Sequence, residues 1–168
     1  LLAQHPELAG AHDCAAIVLT KQGELVQAMR HARRAVALEP ERHDYAVTLA
    51  RVLEESGDLA EAEAVLTRHA ERPPAPVAVL RQIGHVRLRQ HRHEPALAAL
   101  DAAWQRDPDD QNGIAERALA LAAQQGWPAA EAWLGLHEWI RPVPFDVPAP
   151  FPDLRAFLDA QAATSARA

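Results

Sequence analysis

The chain is poor in cysteine, aromatic residues and long apolar runs. Its one cysteine, Cys14, excludes an intramolecular disulfide framework, and no neighbouring pattern supplies a base to activate it, so it reads as a small interior or half-exposed thiol. No apolar run approaches the ~20 residues needed to cross a bilayer, and no basic leader followed by an apolar stretch marks a signal peptide. Aromatics make up 5% of a chain that is 49% hydrophobic and rich in alanine, which favours helices over strands. A net charge of -6 argues against a broad basic surface for nucleic acid. There is no Gly-rich phosphate loop and no nucleophile elbow. The nine histidines lack the close or i, i+4 spacings of zinc ligands; His91 and His93 flank Arg92, and His69 and His137 share a repeat position. The expectation is a non-catalytic chain without metal or cofactor.

What is present is a pattern centred on His43 to Pro74. Ala46, Leu49, Ala50 and Leu53 recur at helical spacing before Gly57, and Leu59, Ala62, Leu66 and Ala70 do so after it, with Glu61, Glu63 and Arg68 on the other side. Gly57 suits a tight turn, Asp58 with Glu61 reads as a capping box, and Pro73-Pro74 ends the second helix. The pattern predicts a hairpin of two amphipathic helices, neither of which can bury its stripe alone.

The hairpin returns every 34 residues. Ala28, Ala62, Ala96 and Ala130 are in phase, as are Ala16, Ala50, Gly84 and Ala118. Small residues belong where two helix backbones approach closely. Pro6, Pro40, Pro74, Pro108 and Pro142 lie on the same lattice, five of the 13 prolines.

With this period, the Leu49-Ala50, Leu53, Gly57-Asp58, Ala62, Leu66, Pro74 set and the Leu80, Ile83-Gly84, Ala96, Leu100, Pro108 set resemble the tetratricopeptide repeat. The aromatic positions hold Leu19, Leu53, Arg87 and Leu121, and the turn glycine is His91 in the third repeat. The resemblance implies an all-α, right-handed solenoid of four repeats, at 9–42, 43–76, 77–110 and 111–142. Residues 1–8 read as the end of a preceding repeat, because no initiating Met is present and Pro6 is on the lattice. Asn112-Gly113 reads as a turn, and Trp127-Pro128 as a helix start.

The same resemblance implies that the first helices of the repeats line a concave groove. That places Arg51, Arg81, His85 and Arg89 towards it, beside Asp13, Ile17, Asp44, Val47, Glu54, Asn112 and Glu116. From Arg81 to Arg92 the third repeat is basic, with no acid until Glu94. Two readings follow: the cations grip an acidic segment of a partner, or they pair with neighbouring repeats. The basic residues Arg30, His31, Arg33 and Arg34 of the first repeat raise the same choice, with a solvated outer face as the simpler reading. The family's Lys/Asn clamp for C-terminal carboxylates is not matched, since its positions hold Asp13, Ile17, Thr48, Ala78 and Gln82. The implied partner is a protein or peptide, extended or helical, and not nucleic acid or membrane. A homodimer through an exposed solenoid end and a cytoplasmic location complete the expectation.

Trp127, Trp133 and Trp139 read as a cap over the last repeat or as an interface anchor. Residues 143–152 are too proline-rich for a helix and read as an extended linker, and 153–168 as a terminal helix with a frayed tail. The Trp133 to Arg141 stretch, Phe145-Asp146-Val147-Pro148 and Phe151 to Leu158 are similar to the junction in bacterial repeat proteins that continue into an iron and 2-oxoglutarate dependent oxygenase domain. That similarity implies an alternative, a substrate-recruiting module whose iron-binding domain lies beyond Ala168.

Overall fold

The computed structural model describes residues 8–71, 74–136, 152–153 and 155–156. Eight helices and no strand occur among the described residues: α1 (Ala9–Lys21), α2 (Leu25–Leu38), α3 (His43–Ser56), α4 (Leu59–Ala70), α5 (Val77–Arg89), α6 (His93–Trp104), α7 (Gln111–Gln125) and α8 (Trp127–Leu134). They form four antiparallel pairs whose first helices begin 34 residues apart, at Ala9, His43, Val77 and Gln111.

The turn inside each of the first three pairs uses the same backbone bonds. The amide of Glu24, Asp58 or Arg92 donates to the carbonyl of Leu19, Leu53 or Arg87, five residues back, at 2.8–2.9 Å. This closes the last turn of the first helix in a Schellman-type arrangement, which needs one residue in the left-handed region. Gly23 and Gly57 supply it at φ 80° and 88°, and His91 adopts it at φ 59° without the freedom of glycine.

The capping box expected at the turn does not form. Asp58 stands at the N-cap of α4 but its carboxylate accepts no capping bond, and Glu61 instead receives Arg33 at 2.9 Å. The expected Asn112-Gly113 turn is also corrected, because both residues lie in the first turn of α7. Asp110 is the cap there, accepting the amide of Asn112 at 3.2 Å.

Small residues meet where the helices cross. Ala28, Ala62, Ala96 and Ala130 are fully buried, as are Ala16 and Ala50, with Ala118 and Gly84 also inside. The large core residues Leu53, Leu66, Val79, Val86 and Leu100 fill the spaces between pairs. Each buried leucine contributes about 1.5–3 kcal/mol relative to exposure, so the core is a continuous strip along the array rather than one centre.

Each first helix touches the first helix of the next pair, α1 with α3, α3 with α5 and α5 with α7, whereas no two second helices make such contact among the described residues. The first-helix side is therefore the inner side of the curve. The chain divides into two units, Leu1–Leu134 and Gly135–Ala168. In the second, the described residues show the amide of Ala156 donating to Asp153 Oδ1 at 2.8 Å, the local bond of a helix start. No described helix is long and apolar enough to cross a membrane.

Candidate functional site

On the inner side, α3, α5 and α7 enclose a cleft of about 380 Å³. Eight of the eleven residues expected in the groove line it: Val47, Arg51 and Glu54 from α3, Arg81, His85 and Arg89 from α5, and Asn112 and Glu116 from α7. Successive turns of a helix put residues three or four apart on one face, and the 34-residue period repeats that face on the next helix. Glu55 and Gln82 also line the cleft. The sequence marks neither as a groove residue: Gln82 is a position of the unmatched clamp, and Glu55 is one of two adjacent glutamates that periodicity alone does not rank.

The remaining three residues lie elsewhere. Ile17 borders a smaller hollow with Thr20, Lys21, Thr48 and Arg51. Asp13 is partly buried beside Thr48; burial pushes its carboxyl above the usual range, the Thr48 hydrogen bond opposing. Asp44 is exposed and pairs locally, 3.6 Å from Arg42 and 3.3 Å from His43.

At the floor of the cleft is a buried carboxylate. The Glu54 side chain is only 4% exposed, and three residues of α5 serve it. His85 Nδ1 and Arg89 Nη1 reach Oε1 at 2.9 and 3.0 Å, and Gln82 Nε2 donates to Oε2 at 2.8 Å. Burial alone would raise the Glu54 pKa, but the His85 hydrogen bond and the charges of His85 and Arg89 outweigh it and hold the carboxyl low. The Glu54 hydrogen bond in turn raises the His85 pKa against the opposing effect of burial, with the charges of Glu54 and Glu116 adding to the rise.

Arg81 is bound the same way, its Nη1 shared by both carboxylate oxygens of Asp110 at 3.0 and 3.1 Å, with Glu116 3.9 Å from its Nε. Burial raises the Glu116 carboxyl despite Arg81 and His85. The intramolecular reading of the basic stretch thus holds for Arg81 and Arg89. Arg51 is exposed and forms no ion pair among the described residues.

The rest of the basic stretch turns away from the cleft. Arg87 and Arg92 both grip Glu63 of α4 at 2.7 Å, and Arg87 also donates to the Pro95 carbonyl at 3.1 Å. Glu63, expected on a solvent face, is a half-buried bridge between two pairs. In the first repeat Arg30, Arg33 and Arg34 are exposed, and His31 lies 2.8 Å from His12. Cys14 is exposed.

At the end of the array Arg117 pairs with Asp101 and lies over two rings, 5.3 Å from the Trp104 centroid and 4.1 Å from that of Trp133. Trp133 is thereby an internal packing residue, whereas Trp127 stays 52% exposed. Trp139, and the parts of the oxygenase-like junction at 137–151, 154 and 157–158, lie outside the described residues. No group of three or more His, Cys, Asp or Glu side chains is placed to hold a metal ion among the described residues.

Comparison with known proteins agrees with this architecture. The tetratricopeptide repeat family model matches residues 19–81. Among solved structures, the MamA protein is 14% identical over 85% of this chain and 83% of that one, with a TM-score of 0.64. YrrB, described as a TPR protein with an unusual peptide-binding site, is 16% identical over 80% of this chain and 69% of that one, with a TM-score of 0.61. The Sgt2 TPR domain from Aspergillus fumigatus is 15% identical over 88% and 93%, with a TM-score of 0.53. At such identities the likeness is one of fold. No curated protein matches the chain. The chain thus carries a tetratricopeptide repeat match over residues 19–81 and shares the fold of tetratricopeptide repeat proteins across its helix pairs.

Proposed function

We propose that this is a non-catalytic interaction scaffold whose first-helix cleft takes a segment of a partner protein, extended or helical. The observation that carries the reading is the cleft on α3, α5 and α7, about 380 Å³ in volume, which charged or polar side chains from three successive repeats line. A concavity of that size accommodates side chains of a docked segment. Most of its ionisable groups engage one another in ion pairs, as Glu54 does with His85 and Arg89, and its lining residues place no nucleophile beside a base. The peptide-binding site named for YrrB is a precedent on the same fold.

A photo-crosslinking amino acid placed at Arg51 or Leu119 tests the reading in cells of the source organism. Leu119 occupies the His85 position one repeat on and is 59% exposed. Val26, on a second helix and 79% exposed, is the control. Protein adducts from positions 51 and 119 but not 26 are expected. Adducts from position 26 alone would move the site to the outer face.

A further inference from the structure

The structure assigns to the cleft a specific ligand group: an Asp or Glu side chain of the partner segment, received by Arg51, His85 and Arg89, with buried Glu54 as the residue that positions the last two. This deepens the groove-binding reading and rests on it.

The argument begins with atoms left over once the internal bonds are made. His85 spends Nδ1 on Glu54, leaving Nε2, and Arg89 spends Nη1, leaving Nε and Nη2. Neither remaining set has a partner among the described residues, and both side chains are well exposed, at 43% and 47%. Arg51 brings a third cation from α3 with no ion pair among the described residues. The balancing carboxylate lies beneath them, 4% exposed, so solvent meets the donors rather than the acid. Both Glu54 oxygens are occupied, which fixes the ring of His85 and the guanidinium of Arg89 before any ligand arrives. Donors held in place lose less entropy on binding than free ones.

The receptor is sensitive to pH because its middle donor is an imidazole. The charged groups that line the cleft with His85 are Arg51, Glu54 and Glu55 from α3, Glu116 from α7, and Arg81 and Arg89 on its own helix; of these Glu54, Glu116 and Arg89 act on the imidazole. On the other side of α5, Glu63 of α4 is held by Arg87 and Arg92. The Glu54 hydrogen bond favours the protonated ring. In that form Nε2 is a donor to a carboxylate; after deprotonation, with Nδ1–H kept by Glu54, Nε2 is an acceptor and repels it.

The probe is a phage-displayed library of random dodecapeptides, selected on the full chain at about pH 6 and about pH 8. Binders enriched in Asp or Glu are expected at the lower pH, weakening roughly tenfold at the higher pH and roughly tenfold in Arg51→Gln, whose exposed side chain can be changed without disturbing the fold. In His85→Gln the pH dependence disappears. In Glu54→Gln the His85 imidazole, followed by NMR, titrates at lower pH, which a merely structural role for Glu54 would not produce.

Binders without acidic enrichment, indifferent to pH and to Arg51→Gln but lost in Leu119→Arg, would overturn this assignment and leave the groove reading intact. An absence of binders, or binders untouched by any of these changes, would overturn both. Sedimentation of the peptide-free chain covers the other occupant: a dimer broken by Arg51→Gln would put a second copy in the cleft and overturn the assignment.

Discussion

Gly84 and Leu100 meet so closely that a β-carbon added at Gly84 would lie 2.5 Å from Leu100 Cγ and 2.7 Å from its Cδ2. Leu100 is 1% exposed, and the closest atom, Cγ, is next to its backbone rather than at the free end of the side chain. Gly84→Ala is therefore expected to cost ~1–3 kcal/mol, as is Ala62→Leu at a fully buried lattice position. Urea unfolding followed by circular dichroism measures both. Wild-type midpoints in either variant would mean that the α5–α6 or the α3–α4 crossing is looser than described.

His91 makes the opposite prediction. It holds a left-handed turn at φ 59° that Gly23 and Gly57 hold in the two preceding pairs. A side chain with a β-carbon pays roughly 1 kcal/mol or more in that region, part of which glycine recovers before its own larger entropy loss. The ring is exposed and its main contact is an edge on His93, so little packing is lost. His91→Gly should raise stability by about 0.5–1 kcal/mol, read as a higher melting temperature. A lower one would show that the ring contact outweighs the backbone term.

These two positions also show what the sequence makes legible. The period located Gly84 among the small residues and His91 at the turn because both depend on where a residue falls along one chain. The inner face was legible only through the resemblance, which implies a groove lined by first helices; the 34-residue period then carries that face from Val47 to Arg81 and from Arg51 to His85. Pairing between repeats was not. Whether Arg87 points into the cleft or back to Glu63 depends on side-chain reach across 24 residues of sequence, and surface-type ion pairs impose no spacing rule. The partner that Glu61 takes was hidden for a related reason, since Arg33 lies on the preceding pair, 28 residues away.

Glu63 accordingly has a measurable role. Its side chain is 17% exposed and holds Arg87, itself 23% exposed, and Arg92. Removing it leaves a partly buried guanidinium with only the Pro95 carbonyl as acceptor. Glu63→Ala should cost ~1–2 kcal/mol, whereas Glu61→Ala, at an exposed pair, should cost no more than about half a kcal/mol. Thermal unfolding of the two variants side by side checks the contrast, and equal effects would show that the Glu63 bridge is not formed in solution.

The Glu54–His85 pair ties stability to pH in a direction that can be worked out. The carboxyl is depressed from its ordinary 4.5, so its contribution is complete above that value and is lost as pH falls through the lower folded pKa. The imidazole is raised from its ordinary 6.5, so its contribution is complete below 6.5 and is lost as pH rises through the higher folded pKa. Both contributions are present together between 4.5 and 6.5. Glu116 and Asp13, both raised by burial, also favour the folded state less as pH rises through their folded values. They remain in His85→Gln, so the difference between the wild-type and variant profiles isolates the imidazole, apart from the charge His85 exerts on Glu116. Wild-type stability should fall from about pH 6 to about pH 9, and His85→Gln should flatten that limb. Urea midpoints across the range provide the measurement. Parallel profiles would mean that the imidazole does not hold Glu54 in the folded state, and the arrangement at the floor of the cleft would have to be redrawn.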